Sequence, residues 1–258
     1  MDRQTISRLA HVHHPIAAPL SDGTVDRLLE RALTRAVPAP AAPAPAEGGR
    51  VLDLGCGKGG WLLRALAARP GWRAVGVDLD AAALTRARES AEALGVQRRI
   101  GLHHLDAREF TAREPFDLVL SIGAAHAFGG LLPTLAAARA HLAPGGRLLV
   151  GAEFWEREPA RAALDALGAA RDDFADLATT VDRVAADGWT PVFGHVSSPQ
   201  EWDDYEFSWT GSLAEWALDH PEHPDAAAAR TAAELHRAGW LHGYRGTLGF
   251  VTLLLRRD

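Results

Sequence analysis

The chain has 258 residues, a formal net charge of −6, a hydrophobic fraction of 47% and a charged fraction of 23%. This composition is typical of a globular protein with a real core, and it excludes disorder over most of the chain. The acidic total argues against a protein whose main role is to grip nucleic-acid phosphates. Cys56 is the only cysteine, which excludes an intramolecular disulfide and a four-cysteine zinc site.

No targeting or membrane segment is predicted. The N-terminal residues contain no apolar run resembling a signal peptide, and no stretch approaches the roughly 18 apolar residues of a membrane span. We therefore expect a reduced, cytoplasmic environment and no membrane partner.

The N-terminal segment, residues 1–49, contains one predicted helix and one connector. Apolar residues from Val25 to Leu33 recur at helical spacing, and Ser21 or Asp22 precedes them as a cap. Pro38 to Gly49 reads PAPAAPAPAEGG, which predicts a stiff, exposed linker. The histidines at positions 11, 13 and 14 have a spacing unsuited to a metal site, so none is expected.

From Arg50 onward, predicted strands alternate with helices, which indicates a parallel sheet covered on both faces. One predicted helix runs from Leu131 to Leu142, and Pro144 to Gly146 then forms a predicted turn. The first five strands are Arg50–Leu54, Ala74–Val77, Ile100–Leu105, Phe116–Ile122 and Arg147–Phe154.

The last hundred residues are rich in aromatic side chains. Six of the eight tryptophans and both tyrosines lie from Trp155 onward. Pro191–Ser197 and Thr247–Arg256 are predicted as two further strands, with a helical insertion between them. This pattern suggests a cap, within about residues 156–246, that encloses a fairly apolar small molecule. Its candidate pocket residues are Trp155, Tyr205 and Trp209.

The segment VLDLGCGKGG at residues 51–60 carries the chemistry-bearing motif. Its glycines satisfy G-x-G-x-x-G, which leaves a nicotinamide-dependent oxidoreductase as one reading. Asp53, two residues before Gly55, would repel a pyrophosphate but can pair with an ammonium group. Asp78 ends the second strand 21 residues after Gly57, where a carboxylate can accept ribose hydroxyls.

The ordered series VLDLGCGKG, VGVDLD, HLDAREF, FDLVLSIGAAHAFGG and LAPGGRLLVGAEFW resembles a class I S-adenosylmethionine-dependent methyltransferase of the small-molecule type. It spans roughly residues 50 to 155, within an expected methyltransferase domain of residues 50–258. The resemblance implies an α/β fold with a Rossmann-like doubly wound, seven-stranded, mostly parallel sheet and a helical cap insertion. Thr247–Arg256 would be the antiparallel last strand, and S-adenosyl-L-methionine would be the cofactor.

The resemblance also implies a set of cofactor contacts. Asp53, Gly55 and Gly57 would hold the methionine part, and Ser121 would lie under the sulfonium end. Asp78 would take the ribose hydroxyls, Leu79 would pack on the adenine, Asp106 would bind its amino group, and the Ala107 backbone would meet the ring edge.

The acceptor is expected to be an O, N or S atom of a small molecule. His126, just after the fourth strand, and Glu153, at the end of the fifth, are the candidate catalytic bases. A nucleic-acid acceptor is not expected, because the chain lacks a basic run and an N/D-P-P-Y/F motif. A peptide acceptor and a non-catalytic S-adenosylmethionine-binding sensor or partner protein remain open alternatives.

Overall fold

A computed structural model describes residues 1–34 and 48–257 of the chain. Residues 35–47 lie outside the described residues, and they include most of the connector predicted from Pro38 to Gly49. Within the described ranges, no helix has the length and apolar character needed to cross a membrane.

The strands form one seven-stranded mixed sheet in the order β3-β2-β1-β4-β5-β7-β6. The pairs β1–β2, β1–β4, β2–β3 and β4–β5 are parallel, and the last strand is antiparallel, as predicted. The strands are Arg50–Leu54 (β1), Arg73–Asp78 (β2), Ile100–His104 (β3), Phe116–Ser121 (β4), Leu142–Trp155 (β5), Thr190–Val196 (β6) and Leu248–Arg256 (β7).

The central strands are apolar on both faces. β1 and β4 are almost completely buried, as expected for parallel strands covered by helices on each side. The chain moves outward from β1 to β2 and β3 on one side, and to β4 and β5 on the other. This reversal places the topological switch point, where such sheets bind ligands, at the carboxyl ends of β1 and β4.

Ten α-helices are found in the described ranges. Capping by Ser21, whose Oγ lies 3.2 Å from the Thr24 amide, confirms the start predicted for the second helix. The sequence pattern does not predict the first helix. The helices are Arg3–Ala10 (α1), Asp22–Leu33 (α2), Gly60–Ala68 (α3), Ala81–Ala93 (α4), Ala125–Phe128 (α5), Leu131–Arg139 (α6), Arg161–Leu167 (α7), Leu177–Ala186 (α8), Pro199–Asp219 (α9) and Ala226–Gly239 (α10).

The start of β5 differs from the prediction. The helix predicted to run to Leu142 ends at Arg139, and Leu142 already pairs with Phe116 of β4. The next pair joins Arg147 to Leu118, so the predicted Pro144–Gly146 turn is an irregularity inside the strand. Gly145, with φ of 72°, takes the left-handed conformation that lets the strand loop out and resume.

The described chain divides into two compact units. The sheet unit comprises Ser21–Ala152, Arg183–His195 and Thr252–Asp258. The helical unit comprises Met1–Leu20, Glu153–Asp182 and Val196–Val251. The domain boundary predicted at residues 49 and 50 remains a prediction.

The helical unit has its own apolar clusters. One joins α1, α9 and α10 through small residues such as Ala10, Ala217 and Ala229. The other surrounds Trp155 and Trp240. Close packing in these two clusters fixes the positions of the helices that form the unit.

Candidate functional site

The glycine turn after β1 is held against the end of β2 by backbone hydrogen bonds. The Gly55 and Cys56 amides donate to the Val77 carbonyl at 2.9 and 3.0 Å. The Gly57 amide donates to Asp78 Oδ2 at 2.7 Å. The structure thus brings together Gly55, Gly57 and Asp78, three residues singled out from the sequence.

Gly55 occupies a position that only glycine fits. Its φ is 92°, and a Cβ atom added there would lie 2.6 Å from Cβ of Ala124. The backbone of the turn therefore packs closely against the segment that follows β4. Ser121, at the end of β4, is fully buried, and its Oγ donates to the Leu54 carbonyl at 3.4 Å.

Asp53, just before the glycine turn, has a carboxyl group with a strongly raised pKa. Its side chain lies on β1, only 2% exposed. Burial, followed by the negative charge of Asp78, raises the pKa of Asp53 to about 8. A carboxylate in this position requires a nearby cation, and an ammonium group at the switch point would supply one. A ligand that brings an ammonium group to this position would therefore be favoured.

Asp78 keeps the capacity to bind a sugar. Its carboxylate accepts the Gly57 amide and, through Oδ1, the Asp80 amide at 2.8 Å. An ionised carboxylate offers about four lone-pair positions, so acceptor capacity is left for ribose hydroxyls. Leu79 follows with its side chain 59% exposed, an apolar surface that an adenine ring could cover.

The carboxylate of Asp106 already has a partner within the protein. Its carboxylate is engaged by Arg108, whose Nε lies 3.1 Å from each carboxylate oxygen, and hydrogen bonds from Arg108 lower the pKa of Asp106 to about 2. An adenine amino group would share these oxygens with the guanidinium. Ala107 lies in the turn that follows Asp106. The adenine contacts assigned to both residues remain predictions.

Two further residues of the sheet unit were singled out in the sequence. His126, a candidate base, lies on the short helix α5 with an exposed side chain. Cys56 is buried, and burial strongly raises the pKa of its thiol, which leaves it a packed and unreactive side chain.

In the helical unit, the second candidate base lies near Tyr205. Burial, then the charges of Glu206 and Glu153, raises the pKa of Tyr205, so its hydroxyl stays protonated. His11 Nε2 lies 3.1 Å from this hydroxyl. The His14 ring packs edge-on against the Tyr205 ring, with centroids 5.2 Å apart. His11 and His14 thus contact a predicted pocket residue.

The two candidate tryptophans have different surroundings. Trp155 is buried in a hydrophobic cluster, and its indole N–H donates to the Arg171 carbonyl at 2.8 Å. These contacts favour a core role over a pocket wall. Trp209 lies on the wall of a cavity of about 480 Å³ and stacks on His236 with ring centroids 3.8 Å apart.

A polar cluster that sequence reasoning missed borders the same cavity. Glu206 is buried on α9 and is bonded to His236 of α10 and to Tyr244. The sequence did carry one signal. Glu206 is followed at helical spacing by Thr210, Leu213 and Ala217, all buried, which places a carboxylate on the inward face of α9.

Comparisons with known proteins give matches over most of the chain. Residues 52–148 match the protein-family model described as a methyltransferase domain. The uncharacterized protein YjhP of Escherichia coli is 31% identical over 193 residues, 74% of this chain and 77% of that protein. Its crystal structure has a TM-score of 0.85 at 25% identity and covers 98% of this chain and 99% of its own.

A solved structure with a bound ligand is equally similar. The S-adenosylmethionine-dependent methyltransferase from Thiobacillus denitrificans, in complex with S-adenosyl-L-homocysteine, has a TM-score of 0.86 and 26% identity. The match covers both chains completely.

Proposed function

Because this chain belongs to the class I S-adenosylmethionine-dependent methyltransferases, we propose that it methylates an O, N or S atom of a small-molecule acceptor. Its cofactor is S-adenosyl-L-methionine, whose sulfonium supplies an electrophilic methyl group. The relative solved with S-adenosyl-L-homocysteine argues against the nicotinamide alternative.

The buried Asp53 carries the cofactor assignment. A carboxyl group with its pKa raised to about 8 gains most from a ligand that brings a positive charge. The methionine ammonium would supply this charge, while Asp78 would accept the ribose hydroxyls and Leu79 would cover the adenine. Gly55 and Gly57 would let the ligand approach the backbone of the turn.

A small acceptor is supported by composition and by the helical unit. The chain is acidic overall and has no basic run, unlike proteins that bind nucleic acid. The cavity of about 480 Å³ in the helical unit has the size of a small-molecule site.

His126 and Glu153 remain the candidate bases. A base is needed only for an acceptor that is protonated at neutral pH. The negative charge of Glu153 contributes to the raised pKa of Tyr205, which places Glu153 near a predicted pocket residue. If the acceptor needs a base, Glu153→Gln should lower kcat at least tenfold, and His126→Ala tests the other candidate.

The cofactor assignment is tested by titrating S-adenosyl-L-homocysteine in a calorimeter. We expect the wild-type protein and Glu89→Gln, an exposed carboxylate on α4, to bind alike, and Asp78→Asn to bind at least tenfold more weakly. Equal binding by Asp78→Asn would contradict the assigned role. Binding of NAD in preference to S-adenosyl-L-homocysteine would overturn the proposed function.

The enzymatic step is tested separately with radiolabelled S-adenosyl-L-methionine and a panel of phenols, thiols and amines. Label transfer to at least one class is expected. Tight cofactor binding without transfer to any acceptor in a broad panel would favour the sensor alternative.

A further inference from the structure

His236 and Tyr244 form a polar wall of the cavity in the helical unit, and both are hydrogen-bonded to the buried Glu206. His236 and Tyr244 line the cavity with Ser7, and the other lining residues are mainly apolar. Tyr244 belongs to the π-helical turn Trp240–Tyr244 that follows α10. Such turns occur frequently at functional sites, because they displace a side chain from the regular helical register.

When Glu206 is ionised, its hydrogen bonds indicate where the protons of this cluster lie. Tyr244 donates its hydroxyl proton to Glu206 Oε1 at 2.7 Å, since an ionised carboxylate can only accept. His236 Nε2 lies 2.6 Å from Glu206 Oε2, so this nitrogen also carries a proton. In the neutral imidazole, Nδ1 is therefore a hydrogen-bond acceptor. Nδ1 has no hydrogen-bond partner among the described residues, and the ring lines the cavity.

The cluster has a net negative charge when Glu206 is ionised and His236 is neutral. Glu206 has a side chain only 3% exposed, and no arginine or lysine is among its contacts in the described chain. When His236 is neutral, the buried carboxylate lacks a counter-charge, and a cation in the cavity would supply it. Trp209, stacked on His236, adds an aromatic face that attracts cations.

We propose that this cavity binds a protonated organic amine with an apolar body. The ammonium N–H donates to His236 Nδ1, its charge is balanced by Glu206, and Trp209 contributes a cation–π contact. The apolar body packs against Ile6 and Leu167. This ligand site lies entirely within the helical unit, and its test does not require methyl transfer.

The probe is 2-phenylethylamine, titrated by calorimetry beside 2-phenylethanol and phenethyltrimethylammonium. We expect the amine to bind at least tenfold more tightly than the alcohol. The quaternary ion should lie between them, because it has the charge but no N–H to donate. Binding of the alcohol as tight as that of the amine would overturn the proposal.

Two variants locate the charge. Glu206→Gln should weaken the amine at least tenfold and leave the alcohol unchanged. The amide removes the charge, while its oxygen can still accept from His236 Nε2 and its NH2 group can donate to the Tyr244 hydroxyl oxygen. Glu215→Gln, on the same helix with a side chain 66% exposed, is the matched control and should bind the amine normally. Unchanged amine binding by Glu206→Gln would overturn the proposal.

A third pair of variants covers the case in which Glu206→Gln does not fold. Leu235 lines the cavity with a side chain 70% exposed, away from the cluster contacts. Leu235→Arg should weaken the amine at least tenfold through charge repulsion, whereas Leu235→Gln should weaken it less than threefold. Equal binding by the two variants would count against the proposal. S-adenosyl-L-homocysteine is titrated in parallel, so loss of amine binding alone leaves the methyltransferase proposal intact.

Discussion

Asp53 should couple cofactor binding to the release of a proton. Its pKa of about 8 keeps the free protein protonated at this site near neutral pH. A bound ammonium would favour the ionised form, so binding must release a proton below pH 8. We expect affinity for S-adenosyl-L-homocysteine to rise up to about tenfold per pH unit from 6 to 8 and then to level off. Calorimetry in buffers of different ionisation enthalpy should show a release approaching one proton at pH 7, and buffer-independent heats would contradict the assignment.

Asp53→Asn should change stability and binding in opposite directions. The folded pKa of Asp53 lies above its ordinary value of 3.8, so the native state binds the extra proton and loses stability as pH rises between about 4 and 8. The variant should gain stability at pH 8, on the order of a few kcal/mol, with the gain vanishing near pH 4. The same variant should bind S-adenosyl-L-homocysteine at least tenfold more weakly. Thermal unfolding at the two pH values checks the stability, and a destabilised variant at pH 8 would contradict the role of burial.

Gly55 can be tested against a glycine in open space. Gly55→Ala should destabilise the protein by about 2–5 kcal/mol, because the left-handed conformation and the Ala124 contact both oppose a side chain. Gly95→Ala is the matched control, since Gly95 also has a positive φ, 68°, but nothing lies within 4 Å of its added Cβ. That variant should lose about 1–2 kcal/mol. Equal losses in denaturant unfolding would show that the contact with Ala124 contributes nothing.

The distance along the chain decides which site residues the sequence could predict. Asp53, at the end of β1, and Gly55 and Gly57, in the turn that follows, lie within five residues of one another, so local spacing was sufficient to bring them together. Glu206 lies 30 residues from His236 and 38 from Tyr244, and their contact depends on how α9 and α10 pack. No local pattern contains that packing, so the cluster appeared only in the structure.

At the scale of elements, the start of α9 offers a direct test. Ser198 Oγ accepts the Glu201 amide at 3.2 Å, and Glu201 Oε2 accepts the Ser198 amide at 2.9 Å, which makes a capping box. Ser198→Ala should lower stability by about 1 kcal/mol, or about 2–4 °C in Tm. Gln200→Ala, at an exposed position in the first turn, should change Tm by less than 1 °C. A Ser198→Ala variant as stable as the wild type would show that the box does not stabilise α9.

Strand β5 shows where element prediction fails. Pro144, Gly145 and Gly146 favour a turn by local propensity, and Leu142 continued the apolar spacing of the preceding helix. In the structure, pairing with Phe116 and Leu118 of β4 extends the strand on both sides of these residues. Tertiary pairing therefore overrode a local turn signal, whereas the buried cores of β1 and β4 were predictable from their apolar runs alone.

At the scale of the whole molecule, the single cysteine reports on opening of the sheet unit. Cys56 is buried and its thiol pKa is raised, so labelling by iodoacetamide requires an opening of the structure. S-adenosyl-L-homocysteine at one hundred times its Kd should slow labelling about 100-fold, equivalent to about 2.7 kcal/mol. Asp78→Asn, which we expect to bind at least tenfold more weakly, should show a slowing of about tenfold or less at the same ligand concentration. Labelling unaffected by ligand in the wild type would mean that Cys56 is reached through openings that keep the ligand bound.

The division into two units could not be predicted from the chain order. The sequence suggested an N-terminal segment followed by one domain, yet residues 1–20 and residues 21–34 cluster with different units. Contacts of α1 with α9 determine this assignment, and they join positions about two hundred residues apart, as the His11–Tyr205 contact with its separation of 194 illustrates.

Each unit is assembled from three separate stretches of the chain, and this has a consequence for biosynthesis. The sheet unit includes residues 252–258, which leave the ribosome after the cofactor turn and the other two stretches of this unit. Until they emerge, β5 lacks its neighbour β7, and its backbone edge is open to wrong partners. The nascent protein should therefore need protection from aggregation until these residues have emerged.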